Sequence, residues 1–218
     1  MTKHLIHEVE NLKERFIALS SLVEERVSLA IEATVESDIR KAEQVIDGDS
    51  EIDTLEIALE EECLKLLALH QPVAIDLRFL IAVLKMTNDL ERIGDHAVNI
   101  ADRSKRLAGL SGSGVPSEIG SIAEKVKALL HASHRALIGL DTKQARAVVA
   151  GDQEVDALNR EVYRTVIAAI KRDSSQTERM LHVLSISKQL ERIGDLATNL
   201  AEDVIYMLEG TIVRHRRT

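Results

Sequence analysis

Apolar positions return every three or four residues along almost the whole chain, the spacing that gathers them on one face of an α-helix. The pattern predicts helices over 3–36, 39–69, 73–108, 117–139, 142–172 and 176–209. No convincing run alternates β-branched with polar residues, so the expected fold class is all-α. Pro72 marks a break between the second and third helices. The segment GLSGSGVP, Gly109 to Pro116, is the strongest linker signal and divides the chain near its middle. Three helices fall on each side. Long helices joined by short turns make antiparallel bundles, so the expected architecture is two tandem, pseudo-symmetric three-helix bundles. Their expected bounds are 1–108 and 117–218, with 109–116 as the linker.

The two halves repeat each other. NDLERIGDHAVNIAD, Asn88 to Asp102, returns as KQLERIGDLATNLAE, Lys188 to Glu202. GDSEIDTLE, Gly48 to Glu56, returns as GDQEVDALN, Gly151 to Asn159. Self-similarity at this scale indicates two copies of one structural unit. The first pair is offset by 100 residues and the second by 103, which implies a shorter turn in the second half.

A helical wheel, advancing about 100° per residue, separates core from surface in each copy. Met86, Leu90, Ile93, Ala97 and Ile100 gather on one side; Glu91, Asp95 and Asp102 gather on the other, flanked by Asn88 and Asn99. The sixth predicted helix repeats this, with Leu190, Ile193, Ala197 and Leu200 inward and Glu191, Asp195, Asn199 and Glu202 outward. The second predicted helix carries Asp49, Asp53, Glu56 and Glu60 on a stripe turned away from Ile52, Leu55 and Leu59. The fifth aligns Asp152, Asp156 and Asn159 opposite Val155, Leu158 and Val162. Each half thus presents two acid-x-x-x-acid pairs on helices expected to be neighbours.

An i,i+4 spacing sets two side chains about 6 Å apart at their Cβ atoms. At an effective dielectric near 20, two like charges at that distance cost about 3 kcal/mol. Four carboxylates brought together therefore call for raised pKa values or for cations. An all-oxygen donor set suits hard ions such as Mg²⁺, Mn²⁺, Ca²⁺ or oxidised iron. Arg92 and Arg192 are candidates to offset part of the charge. A solvated acidic face is the ordinary reading of any one such pair. Recurrence in both halves favours a metal site, since at positions taken as equally exposed, such as Ser104 and Glu178, the repeat is gone. Gly94 and Gly194 interrupt strong helix formers at about 1 kcal/mol each, and imply close approach of a neighbouring helix or of a ligand.

Composition narrows the function further. There is no Trp, two Tyr and two Phe, so the core is aliphatic. The formal net charge is −8, which argues against nucleic-acid binding. The single basic cluster is the tail from Arg214 to Thr218, read as solvated or as a contact for anionic lipid or an acidic partner. Cys63, the one cysteine, falls among Leu59, Leu64 and Leu67 and reads as a buried hydrophobe. The polar N-terminus does not look like a signal peptide, and FLIAVL, Phe79 to Leu84, is too short to span a bilayer. A cytoplasmic, soluble protein is expected.

Rival chemistries find less support. No Asp or Glu is followed three residues later by His, so the ligand pattern of a carboxylate di-iron oxidase is missing. His96 lies about 100° off the acidic stripe. His7-Glu8 resembles the start of a phosphorylatable histidine box, but VENLKERF lacks the accompanying Pro. A histidine phosphotransfer or metal-dependent hydrolytic bundle is the alternative. His131 and His134, one turn apart, are a further candidate chelate. No phosphate loop, Ser-His-Asp set or Cys cluster is present, and no catalytic residue is assigned.

HQPVAIDLRFLIAVLKMTNDLERIGDHAVNIAD, His70 to Asp102, and LERIGDLATNLAEDVIYMLEG, Leu190 to Gly210, resemble the PhoU family of phosphate-transport accessory and phosphate-signalling proteins. The resemblance covers the chain's length, its twofold repeat and both acidic motifs. It implies two three-helix bundles and a non-enzymatic role. It implies multinuclear iron or zinc clusters held by Glu91, Asp95, Glu191 and Asp195, faced by Asp49, Asp53, Asp152 and Asp156. Asn99, Asp102, Asn199, Glu202 and Glu56 would be additional stripe residues, with Arg92 and Arg192 near the clusters or a partner. It further implies negative regulation of the phosphate-starvation response. The partners would be the ATPase subunit of the phosphate importer (PstB-like), a membrane sensor histidine kinase (PhoR-like) and a second copy as a homodimer. One departure is that QPVAIDLR, Gln71 to Arg78, lacks a good counterpart around Ser175 to Leu181, so the two halves need not do the same job.

Overall fold

The computed structural model describes residues 3–112, 114–211 and 213; the basic tail from Arg214 lies outside the described residues. Seven α-helices and one 3₁₀ turn account for the described chain, with no strand among the described residues. They are α1 (Lys3–Glu36), α2 (Ile39–Asp47), α3 (Asp49–His70), α4 (Ile75–Ala108), α5 (Ser117–Gly139), α6 (Thr142–Arg172) and α7 (Thr177–Glu209), with the 3₁₀ turn at Ser174–Gln176.

The expected second helix is two helices, because the chain bends at Gly48. That residue is both the C-cap of α2 and the N-cap of α3. A β-carbon there would lie 2.9 Å from the Arg26 guanidinium, whose Nη2 is 3.0 Å from Glu51 Oε2. Counting α2 and α3 as one bent rod recovers six rods, three per bundle. The second half keeps the rod straight through Gly151, which accommodates Leu129 Cδ2 at 2.8 Å from where a β-carbon would stand.

The repeat extends to turns that hydrophobic patterning does not reveal. Asp38 caps α2 by accepting from the Arg40 and Lys41 amides at 2.9 and 3.4 Å. Asp141 caps α6 from the Lys143 and Gln144 amides at 2.9 and 3.0 Å. A left-handed residue precedes each cap, Ser37 at φ 56° and Leu140 at φ 49°. Each Asp amide then donates back into the preceding helix, Asp38 to Ala33 and Asp141 to Ala136. Capping two of the otherwise unpaired amides helps each turn stop one helix and start the next.

α1, the α2–α3 rod and α4 form one bundle; α5, α6 and α7 form the other. The bundles meet along α4 and α7, with α1 against α5 beside them. The inward residues expected of α4 and α7 are all buried, as are Ile52, Leu59, Val155 and Val162; Leu55 and Leu158 are partly so. Cys63 is buried, and burial pushes its thiol up to about 12, so it is an inert hydrophobe. Two surface expectations are corrected. Leu64 faces solvent rather than the core. Ser104 is buried, its hydroxyl 2.6 Å from that of Thr34 on α1. A hydroxyl on the core side of a long helix escapes notice because its neighbour's partner lies 70 residues away.

Candidate functional site

The two predicted acidic stripes of each half do come together. The cause is visible in the glycines. A β-carbon on Gly94 of α4 would lie 3.0 Å from Ile52 Cδ1 of α3, and one on Gly194 of α7 would lie 3.2 Å from Val155 Cγ1 of α6. Each glycine admits the neighbouring helix close to its backbone, at the level where the carboxylates sit on either side. Ile52 and Val155 occupy matching positions in the two halves, so the contact is duplicated with one methylene less in the second.

In the first bundle Asp49, Asp53 and Glu56 on α3 face Glu91 and Asp95 on α4. Partial burial, then repulsion from Asp53 and Asp95, raises the Asp49 carboxyl above the usual carboxylate range. Burial also raises Glu91, with Asp95, Glu56, Asp53 and Asp49 adding to it. Glu56 is raised by burial and by Glu60 and Asp53. None of these five carboxylates has a salt-bridge partner among the described residues.

The second bundle places Asp152 and Asp156 on α6 against Glu191 and Asp195 on α7. Burial raises Asp152, with Asp156 and Glu191 contributing. Asp195 is pushed up to about 6 by burial and then by Glu191, Asp152 and Asp156, while Lys188 draws it down. Lys188 Nζ lies 2.6 Å from Glu191 Oε2. The residue at the matching place in the first half is Asn88, so the second site holds a cation of its own where the first does not.

The flanking candidates divide. Glu56 joins the first site. Asp102 is paired with Arg106 at 3.0 Å, a contact within its own helix. Asn99 donates to the Asp95 carbonyl at 2.8 Å. Asn199 and Glu202 are partly buried on α7. Arg92 turns to Asp89 at 3.5 Å instead of to the acidic stripe. Arg92 and Arg192 both hold His96 low, after burial as the main cause. His7 is exposed on α1, with the Asn11 amide 3.5 Å from its Nε2.

The donor set is all-carboxylate, crowded and short of cations, which fits a hard or borderline metal ion. Among the described residues no three Asp, Glu, His or Cys side chains close on one ion position. His131 and His134 do not form a free chelate. His131 Nδ1 lies 2.6 Å from Glu24 Oε1 and His134 Nδ1 lies 2.7 Å from Glu24 Oε2, so one α1 carboxylate spans two α5 imidazoles between the bundles. Burial alone would raise Glu24, but the two imidazoles hold it below its ordinary value. Glu24 carries no motif; its partners are 107 and 110 residues away, and only the docking of the bundles selects it.

The turn between α3 and α4 sets the halves apart. Gln71 and Ala74 have φ of 44° and 49°, and Leu69, Val73 and Ile75 are exposed there. In the second half Asp173 caps the 3₁₀ turn instead, accepting from the Ser175 amide at 3.0 Å.

A duplicated helical bundle with paired surface carboxylates is the class of protein that the fold and the site define. The PhoU domain family model matches residues 16–104 and again 119–204. The chain is 37% identical to the phosphate-specific transport system accessory protein PhoU homolog of Aquifex aeolicus over 212 residues, 97% of this chain and 96% of the relative. It is 36% identical to the Pseudomonas putida homolog of the same description, covering 95% and 82%. The crystal structure of PhoU from Pseudomonas aeruginosa superposes with a TM-score of 0.91 at 34% identity, over 94% of this chain and 99% of that one. That of the phosphate transport system regulatory protein PhoU from Streptococcus pneumoniae gives 0.88 at 28%, over 96% and 99%. The chain belongs to the PhoU family. Among the described residues no helix is long and apolar enough to cross a membrane.

Proposed function

We propose that this protein is an accessory regulator of phosphate-specific transport. In this reading it restrains the phosphate-starvation response when phosphate is plentiful and modulates high-affinity phosphate import. It does so by linking the importer's ATPase subunit (PstB-like) to a sensor histidine kinase (PhoR-like), working in the cytoplasm as a homodimer. The observation that carries this is likeness over nearly the full chain to proteins whose names tie them to the phosphate-specific transport system. The test is a deletion strain grown in high phosphate. Derepressed phosphate-starvation genes are expected; unchanged expression together with unchanged phosphate uptake overturns the reading.

The carboxylate clusters are its metal-binding sites, one per bundle. Asp49, Asp53, Glu91 and Asp95 would hold the first metal, and Asp152, Asp156, Glu191 and Asp195 the second. Iron or zinc is the expected occupant, and the oxygen donors also accept Mg²⁺, Mn²⁺ or Ca²⁺. Support comes from carboxyl groups raised by burial and mutual repulsion, a cost that a bound cation would remove. Metal analysis after add-back should give more than one metal per chain, and Glu91→Ala with Asp95→Ala should lower it. Equal metal content in both proteins removes the assignment.

A further inference from the structure

The two halves keep the same fold but reverse the charge of one surface. On α6, Arg160, Tyr163, Arg164, Ile167 and Lys171 follow i, i+3, i+4, i+7 and i+11 spacing, which makes a single stripe. All five are exposed, Tyr163 at 54%. The repeat offset of 103 carries them onto Ile57, Glu60, Glu61, Leu64 and Ala68 of α3, also all exposed, Ile57 at 55% and Leu64 at 52%. Three cations in one stripe therefore stand where the other has two anions. Each stripe also holds two large apolar side chains or an aromatic and an aliphatic one.

None of these charged groups is spent internally. Arg160, Arg164, Lys171, Glu60 and Glu61 have no salt-bridge partner among the described residues. Lys65, beside the α3 stripe, is directed to Glu62 at 3.3 Å and Glu8 at 3.9 Å. Glu161 is exposed one residue along from Arg160, about 100° round the helix. The α6 stripe borders a groove of about 640 Å³ where Asn159 and Tyr163 meet Leu184 and Lys188 of α7, and a second of about 320 Å³ beside Ile167. Exposed Tyr and Arg over a concave apolar floor are the residues that interfaces favour.

We propose that the α6 stripe is the docking surface for the α3 stripe of a second copy of this chain. This rests on the homodimer included in the reading above and supplies its interface. The second copy is the occupant because it carries, at the equivalent place in its other half, a stripe of opposite charge that also exposes two large apolar side chains, Ile57 and Leu64. A twofold arrangement uses the contact twice, α3 against the partner's α6 and α6 against the partner's α3. Complementary charge steers the encounter and fixes its register, while Tyr163 and Ile167 supply apolar contact to Ile57 and Leu64. Divergence of the two stripes is what an interface between unlike halves requires: identical stripes would repel.

The test is sedimentation equilibrium and light scattering on the full chain across a concentration series, with helicity checked by circular dichroism. The wild type is expected to dimerise. R160E/R164E and E60R/E61R are each expected to weaken the dimer at least tenfold. Mixed in equal amounts, the two variants are expected to pair with each other, because one then presents two stripes of net negative charge and the other two of net positive charge. A wild-type dimer of unchanged strength in both variants overturns the interface and leaves the homodimer standing. A wild-type chain that stays monomeric overturns both, and assigns the basic stripe to an acidic protein of another sequence.

Discussion

Gly94 on α4 stands so close to Ile52 on α3 that a β-carbon there would lie 3.0 Å from Ile52 Cδ1. This contact sets the spacing of the two helices that carry the first acidic cluster. Alanine at 94 would gain about 1 kcal/mol of helix propensity, and Ile52 could yield by a rotation of its terminal methyl. A branched side chain has no such escape. Gly94→Val should cost about 1–3 kcal/mol by overpacking, seen as a lower midpoint in urea. It should also lower metal content at the first cluster while leaving the second intact.

The acidic clusters make the metal-free protein less stable as pH rises. Asp195 is raised to about 6 when folded, chiefly by burial and then by its neighbours. Unfolded, an Asp titrates near 3.9. The folded state therefore holds its proton more tightly, so stability present in acid is lost as pH climbs from about 4 through about 6. With chelator, Tm should fall between pH 5 and pH 7.5. Manganese(II) should reduce that fall, and Asp195→Asn should flatten it. A chelated protein whose Tm rises over this range contradicts the assignment.

Lys188 distinguishes the second cluster from the first. Its ammonium sits 2.6 Å from Glu191 and competes with any cation there. Lys188→Asn installs the residue found at the matching place in the first half. Half-exposed pairs of this kind are worth about 0.2–1 kcal/mol, so manganese(II) should bind the second cluster up to about fivefold tighter. Isothermal titration calorimetry of the variant and the wild type would show it.

Glu24 ties the bundles together through His131 and His134. Its lowered pKa means that this contribution is present at neutral pH and is lost as pH falls through the folded value. Glu24→Ala leaves His134, which is mostly buried, without its acceptor. A loss of about 1–3 kcal/mol is expected. Hydrogen exchange should quicken along α1 and α5 more than along α3 or α6.

Asp38 and Asp141 cap α2 and α6 in matching turns. Alanine at either should cost about 0.5–2 kcal/mol. Similar losses at the two positions would show that the duplicated turns remain energetically equivalent, although Gly48 bends one rod and Gly151 leaves the other straight.

Local order was open to reading because a helix announces itself within one or two turns. The apolar period located every rod, and Gly109 to Pro116 lies between α4 and α5. The doubled LERIGD phrase showed Ile93 and Ile193 inward and the acids outward. Gly48 was unreadable as a bend: the Arg26 guanidinium that leaves no room for a side chain there comes from another helix. Ser104 was misplaced for the same cause, since Thr34 comes from α1.

The sequence by itself determined which residues each helix turns outward, because that depends only on spacing along one strand of backbone. It therefore put the candidate carboxylates of each helix on one shared face. Tertiary structure decided which of them meet. Ile52 against Gly94 and Val155 against Gly194 bring two stripes into range. Asp102 is drawn to Arg106 and Arg92 to Asp89. Glu24 is placed between two histidines more than 100 residues away. Such meetings depend on distances between helices, and those are set by core side chains whose contacts have no period along the chain.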